Sequence, residues 1–195
     1  GEARIDYAAL KQTIWTAVRF LDNTIDMSRY PLPEIDRMVK GNRKIGLGIM
    51  GFADLLFQLQ VPYNSEQALG LAEEIMGFIQ SESHQASLEL AQSRGVFPNY
   101  EKSRYANDSQ QAFRNATTTT IAPTGTLSII SNCSSGIEPL FALSFVRTVM
   151  DNDRLMEVNP HFEAVARQQG FYSQALMEAI AGAGTIAHMD GIPDE

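Results

Sequence analysis

Thr117-Thr118-Thr119-Thr120-Ile121-Ala122-Pro123-Thr124-Gly125-Thr126-Leu127-Ser128 is where this chain changes character. The β-branched run Thr117 to Ile121 suits an extended strand, because branching at Cβ restricts side-chain rotamers in a helix and packs well on a pleated surface. Pro123-Thr124-Gly125-Thr126 then forces a turn, and a helix starting near Leu127 would place its free N–H groups and positive dipole end at that turn. A strand entering such a turn has the chemistry of an anion cradle, with hydroxyls and amides converging on one point. The plainer reading is a Pro-Thr-Gly turn that joins two core elements, and the residues alone leave both open.

Upstream of this stretch the sequence is mainly helical. Tyr7 to Ile25 sets Leu10, Ile14, Ala17, Val18, Leu21 and Ile25 on one helical face, and Arg29-Tyr30-Pro31-Leu32-Pro33 ends that helix. A second, short helix starts at Pro33-Glu34-Ile35, where a first-turn proline costs no hydrogen bond, and Gly41-Asn42 interrupts it. Ile45 to Leu59 is apolar on all sides with Gly46, Gly48 and Gly51 interspersed, which predicts a buried helix with close neighbours at its glycines. Pro62 ends it, and Asn64 with Gln67 resembles a capping box for a long helix that bears Leu71, Ile75, Ile79, Ala86 and Leu90 and stops at Gly95.

Downstream, Leu140 to Met150 leans towards a strand, and helices are predicted at about His161 to Gln169 and Tyr172 to Ala183. The chain therefore reads as one unit over residues 1–195, of helix-rich α/β class, mainly helical over 1–95 and mixed strand and helix over 96–195. No internal repeat is visible, and the carboxyl end reads as cut rather than concluded.

Composition excludes several classes of function. With 23 acidic against 15 basic residues, a formal charge of −8 and no basic patch, nucleic acid is an unsuitable partner. No apolar run approaches the roughly 18–20 residues of a membrane span and no signal-type start is present, which points to a cytoplasmic protein. A single cysteine, Cys133, permits neither an intramolecular disulfide nor a multi-cysteine zinc site. His84, His161 and His188 are far apart and in no ligating pattern, so no metal site is expected.

Gly46-Leu47-Gly48-Ile49-Met50-Gly51 has the spacing of a dinucleotide fingerprint, but Met38 to Lys44 is too polar for the preceding strand and no acidic residue follows at the right distance; close packing is favoured. Asn132-Cys133-Ser134-Ser135-Gly136-Ile137-Glu138-Pro139 groups a thiol, hydroxyls, an amide and a carboxylate beside the candidate cradle. Cys133 has no histidine near it in sequence to lower its pKa and reads as a packing residue. Glu138 has the better claim, as a hydrogen-bond acceptor that shapes the site.

Three segments together resemble the ribonucleotide reductase catalytic subunit: Arg43 through Asp54, Arg114-Asn115-Ala116-Thr117 through Ser128, and Cys133 through Phe141. Pro-Thr-Gly-Thr-Leu-Ser followed by Ser-Ser-Gly-Ile-Glu-Pro is more similar to the adenosylcobalamin-dependent class than to the di-iron class. The resemblance implies a partial ten-stranded α/β barrel, with substrate phosphates held by Thr124, Gly125, Thr126, Leu127 and Ser128, and with Asn132, Ser135 and Glu138 shaping the pocket. It also implies that Gly46, Gly48 and Gly51 belong to a buried helix outside the barrel strands.

By the same resemblance the parent enzyme reduces ribonucleotides to deoxyribonucleotides by a radical mechanism, using adenosylcobalamin, an external thiol reductant and cysteines that this sequence lacks. No residue here is expected to be catalytic. The fragment would supply binding, and its uncovered strand edges and apolar faces predict a homo-oligomer. The competing expectation is a free-standing nucleotide-binding or regulatory module without redox activity.

Overall fold

The computed structural model describes residues 3–109, 111–148, 154–187 and 189–193. Its first element, α1 (Tyr7–Met27), is capped by the Asp6 carboxylate, which accepts the Ala9 N–H at 3.0 Å. Ile14, Val18 and Ile25 of its predicted apolar face are buried, while Leu10 and Leu21 pack at the edge of the core. The short α2 (Pro33–Asn42) starts on its proline and ends at Arg43, which takes the left-handed conformation (φ 46°). After α3 (Phe52–Gln58) comes the long α4 (Glu66–Arg94), which packs along α1 and closes the main core with Ile75, Ile79, Ala86 and Leu90. Its cap is Ser65, whose hydroxyl accepts the Ala68 N–H at 3.2 Å, one residue beyond the Asn64 expected from sequence; Gly95 ends it as anticipated.

The predicted helix from Ile45 to Leu59 is not formed as such. Residues 45–47 are extended and lie parallel to 117–120: Ile45 and Leu47 donate N–H groups to the carbonyls of Thr117 and Thr118 at 3.1 and 2.8 Å, and Thr120 donates back to Leu47 at 3.0 Å. Only Phe52–Gln58 is helical, and Gly51 precedes it with φ 80°. The assignment of Gly46, Gly48 and Gly51 to a buried helix is therefore wrong, although the close approach inferred from them is right. A Cβ on Gly46 would stand 2.7 Å from the Thr120 methyl, and one on Gly48 would stand 2.9 Å from the Thr120 carbonyl oxygen. A parallel strand covered on both faces is apolar on all sides, as a buried helix is, and periodicity alone does not separate the two.

A buried charge cluster holds these paired segments against the helices. Asp22 lies on the apolar stripe of α1 and is fully buried. Its Oδ1 accepts from Arg43 Nε and Nη2 at 2.9 and 2.8 Å and from Asn115 Nδ2 at 3.0 Å; its Oδ2 accepts from Arg94 at 2.9 Å. Burial pushes the Asp22 carboxyl up, but the hydrogen bond and charge of Arg43, with Asn115 and Arg114, hold it below the ordinary carboxylate value. Two polar rungs of α4 complete the attachment: Ser83 pairs with Thr118 at 2.8 Å, and Ser87 donates to Asn115 Oδ1 while accepting the Asn115 N–H, both at 3.0 Å. Arg43 and Asn115 each stand just before an extended segment, so the cluster fixes where both begin.

The turn after Thr120 leads into α5 (Gly125–Ser131). An antiparallel hairpin follows, β1 (Ser144–Thr148) and β2 (Arg154–Val158), with Ser144 opposite Val158 and Val146 opposite Met156. It bears out the strand reading within Leu140 to Met150, of which Val149 and Met150 lie outside the described residues; β2 was not expected. Helices α6 (Pro160–Gln169) and α7 (Gln174–Ala183) match the predicted pair and form a second, smaller core around Phe162, Met177 and Ile180, which reaches α3 through Phe57. The result is helix-rich, with one antiparallel hairpin and one parallel pairing among the described residues; a closed ten-stranded barrel is not seen in them.

Candidate functional site

The stretch expected to form the cradle is an extended segment with one bridge at Thr119, a turn, and a helix that starts at Gly125, two residues before the Leu127 expected from sequence. Thr124 takes the left-handed conformation (φ 56°, ψ 24°), which a threonine adopts only when its surroundings enforce it. They do so from two sides. The Gly136 N–H donates to Thr124 Oγ1 at 2.7 Å, and the Ser128 N–H donates to the Thr124 carbonyl at 2.8 Å. Gly136 itself has φ 48°, and a Cβ there would meet the Ala122 carbonyl at 2.9 Å, so only glycine allows this approach. Gly125, Thr126 and Leu127 precede the first closed bond of α5 and are exposed, leaving their N–H groups directed outward.

Ser128 is different: it is buried, and its hydroxyl donates to the Gly125 carbonyl at 2.9 Å and pairs with the Ser135 hydroxyl at 2.8 Å. Ser128, Asn132, Ser135 and Glu138 line one cleft of about 610 Å³, while Thr124 through Leu127 lie outside its lining. Glu138 is set by a tight turn in which its N–H donates to the Ser135 carbonyl at 3.0 Å. Asn132 ends α5 with φ 51°. The opposite wall comes from Phe141, Phe145, Glu157 and Asn159. No Lys or Arg stands among the described residues lining the cleft, so an anion here would rely on amides, hydroxyls and the helix end.

Sequence reasoning missed the residue at the centre of these walls. Asp54, in the first turn of α3, is buried, and its Oδ2 accepts the Ser134 N–H at 2.6 Å. Ser134 Oγ in turn accepts the Asp54 N–H at 3.3 Å. This reciprocity is that of a capping box, except that the serine arrives from 80 residues away because the N-cap position is Gly51, which has no side chain. Gly51 and Phe52 give their N–H groups to the Ser134 and Gly136 carbonyls at 2.8 and 3.4 Å. The other oxygen, Asp54 Oδ1, accepts Asn159 Nδ2 at 3.2 Å, while Asn159 Oδ1 caps α6 through the N–H groups of His161 and Phe162. The helix was expected from about His161 with no cap named, and the link from Asn159 to Asp54 crosses 105 residues and leaves no local pattern.

Cys133 is half-buried, and burial together with the nearby Asp54 charge pushes its thiol above the ordinary value, which agrees with a packing role. His84 rests against the Phe113 ring and is held below its ordinary pKa by burial, while His161 meets Gln58 and the Phe57 ring. His188 lies outside the described residues. Among the described residues no three His, Cys, Asp or Glu gather to hold a metal ion, and no helix is long and apolar enough to cross a membrane.

All of residues 1–195 match the family described as ribonucleotide reductase, barrel domain. The chain is similar to the vitamin B12-dependent ribonucleoside-diphosphate reductase of Thermoplasma acidophilum, with 50% identity over 95% of this chain and 24% of the relative. It is 45% identical to the protein of the same name from Mycobacterium tuberculosis, over 100% of this chain and 28% of that one. Similarity to the ribonucleoside-diphosphate reductase subunit alpha of Chlamydia pneumoniae is lower, 26% over 98% of this chain and 22% of the relative. The chain thus spans about a quarter of the length of these relatives. The resemblance carried by Arg43 to Asp54, Arg114 to Ser128 and Cys133 to Phe141 holds across the whole sequence, and the chain belongs to the ribonucleotide reductase barrel-domain family.

Proposed function

We propose that this chain is part of the catalytic barrel of a ribonucleotide reductase that converts ribonucleoside diphosphates to deoxyribonucleotides by a radical mechanism for DNA synthesis, and that it supplies the substrate-phosphate loop. The observation that supports this most is the start of α5. A left-handed Thr124, held by Gly136, turns the amides of Gly125, Thr126 and Leu127 outward at the edge of a cleft walled by Ser128, Asn132, Ser135 and Glu138. Phosphate oxygens would accept from those amides and from the Thr124 and Thr126 hydroxyls, with the Ser128–Ser135 pair bracing the turn. In the same reading, residues 45–47 and 117–120 are neighbouring parallel strands of the parent's ten-stranded barrel.

The parent depends on adenosylcobalamin in this reading, by likeness to relatives named as vitamin B12-dependent. The cleft offers carboxylates, hydroxyls, two amides and a thiol of raised pKa, a set that does not fit the ligation of cobalt, and no residue of the cleft is assigned to the corrinoid. One thiol also cannot form an internal disulfide, so reducing cysteines and an external thiol reductant are assigned to the parent, in the cytoplasm. Exposed Leu127, Ile129, Ile130 and Phe141 leave apolar surface for the rest of the barrel or for a second copy.

Thr126→Val and Ser128→Ala in the full-length enzyme test the phosphate loop. A hydrogen bond to a charged group is worth ~1.5–3 kcal/mol, so KM for the ribonucleoside diphosphate is expected to rise roughly tenfold or more for Thr126→Val, and by less for Ser128→Ala, which only loosens the brace on the turn. Unchanged KM in both variants would remove the loop from the substrate site.

A further inference from the structure

The walls of the cleft come from parts of the chain far apart in sequence, and one side chain joins them. On one side stands the Ser134 main chain, continuous with Ser135 and with the Gly136 N–H that holds Thr124. On the other stands Asn159, at the junction of β2 and α6. Asp54 accepts from both, one with each carboxylate oxygen, at 2.6 and 3.2 Å, and it is itself buried on α3. Both donors are fixed at their other ends: Ser134 by its carbonyl on the Gly51 N–H at 2.8 Å, Asn159 by its cap of α6 at 3.0 and 3.1 Å. Neither wall can move independently of the carboxylate.

We infer that Asp54 is a positioning residue for substrate binding: a carboxylate that accepts from both walls of the cleft and sets their separation. This rests on the cleft being the substrate site. A carboxylate is required because both partners donate, and an amide at position 54 would turn one N–H group against another. The geometry also indicates how the requirement can be reversed. If the amide side chain of the Asp54→Asn variant accepts the Ser134 N–H with its oxygen, its nitrogen faces position 159; an aspartate there accepts that bond and still caps α6, since aspartate and asparagine are near-equal N-caps.

The test is steady-state kinetics of the full-length reductase with a ribonucleoside diphosphate, alongside thermal unfolding. Asp54→Asn is expected to raise KM roughly tenfold, the scale of losing a hydrogen bond to a charged group, with a smaller effect on kcat. Asp54→Asn combined with Asn159→Asp is expected to return KM to within about threefold of the parent value, whereas Asn159→Asp alone, which sets two carboxylates face to face, is expected to raise it. A purely structural role would lower the unfolding temperature of Asp54→Asn while leaving KM in place, and that result overturns the inference, as does a double variant no better than the single. Where Asp54→Asn fails to fold, Asn159→Ser keeps the α6 cap and removes the amide that reaches Asp54; an unchanged KM there overturns the inference equally. If Thr126→Val and Ser128→Ala raise KM but the Asp54 and Asn159 variants do not, the positioning role alone fails. If none of them raises KM, the assignment of the cleft as substrate site fails with it.

Discussion

Asp22 is a carboxylate in a place where the helical pattern of α1 calls for an apolar side chain, between Val18 and Ile25. Its position follows from what surrounds it: the side chains of Arg43 and Arg94 and the amide of Asn115 all end on its two oxygens. Removing one partner of such a buried set leaves charges that water cannot reach. Asp22→Asn is therefore expected to destabilise the protein by ~3–5 kcal/mol, measured by denaturant unfolding. Because the folded carboxyl titrates below its ordinary value of 3.8, its contribution is in place above that value and is lost as the pH falls through the lower folded pKa; the variant should lose that acid-side slope. Sequence periodicity found Ile14, Val18 and Ile25 but passed over Asp22, since a helical wheel scores hydrophobicity and does not see three distant partners converge. Arg43, Arg114 and Asn115 were singled out only through family resemblance. Asp54 was quoted in the same way, with no signal in its own neighbourhood of what it holds.

Among the elements, helices with strong local signals were legible. The proline at the start of α2 and Gly95 after α4 act through bonds within a turn and were read as such, while the Asp6 cap of α1 and the Asn159 cap of α6, equally local, were not singled out. The segment from Ile45 onwards was not legible, because what makes it extended is the run at Thr117 to Thr120 lying beside it, which the sequence separates from it by the whole of α4. This contact also yields a sharp expectation. Gly48→Ala drives a methyl to 2.9 Å from the Thr120 carbonyl oxygen, a backbone atom that cannot turn aside, and should cost about 1–3 kcal/mol by thermal unfolding. At Gly46 rotation can move the Thr120 methyl at 2.7 Å but not the Thr120 Cβ at 3.0 Å, so the same change there should cost a comparable amount. The order of extended segment, turn and helix at α5 was legible, with the helix starting at Gly125 rather than Leu127, while the way Gly136 fixes it was visible only in three dimensions.

For the molecule as a whole, two cores of unequal size meet at α3, and among the apolar side chains left uncovered one group lies on and beside α5. Leu127, Ile129 and Ile130 are 59, 61 and 75% exposed, and Phe141 is 91% exposed. A net charge of −8 opposes association but does not cover such a patch. The chain alone is expected to self-associate in sedimentation velocity, and Ile129→Lys with Ile130→Lys should shift it towards monomer; a monomeric profile for the unaltered chain would remove the expectation. The capping box shared by Asp54 and Ser134 bears on how such a molecule comes together in time. A helix of seven residues is too short to persist in water by itself, and α3 receives its cap from a serine 80 residues further on. Its completion waits for the closure of that long loop, an entropic cost that local helices such as α1 do not carry. In the order of folding, α3 is expected to settle among the last elements, with the cleft beside it becoming a defined place only at that moment.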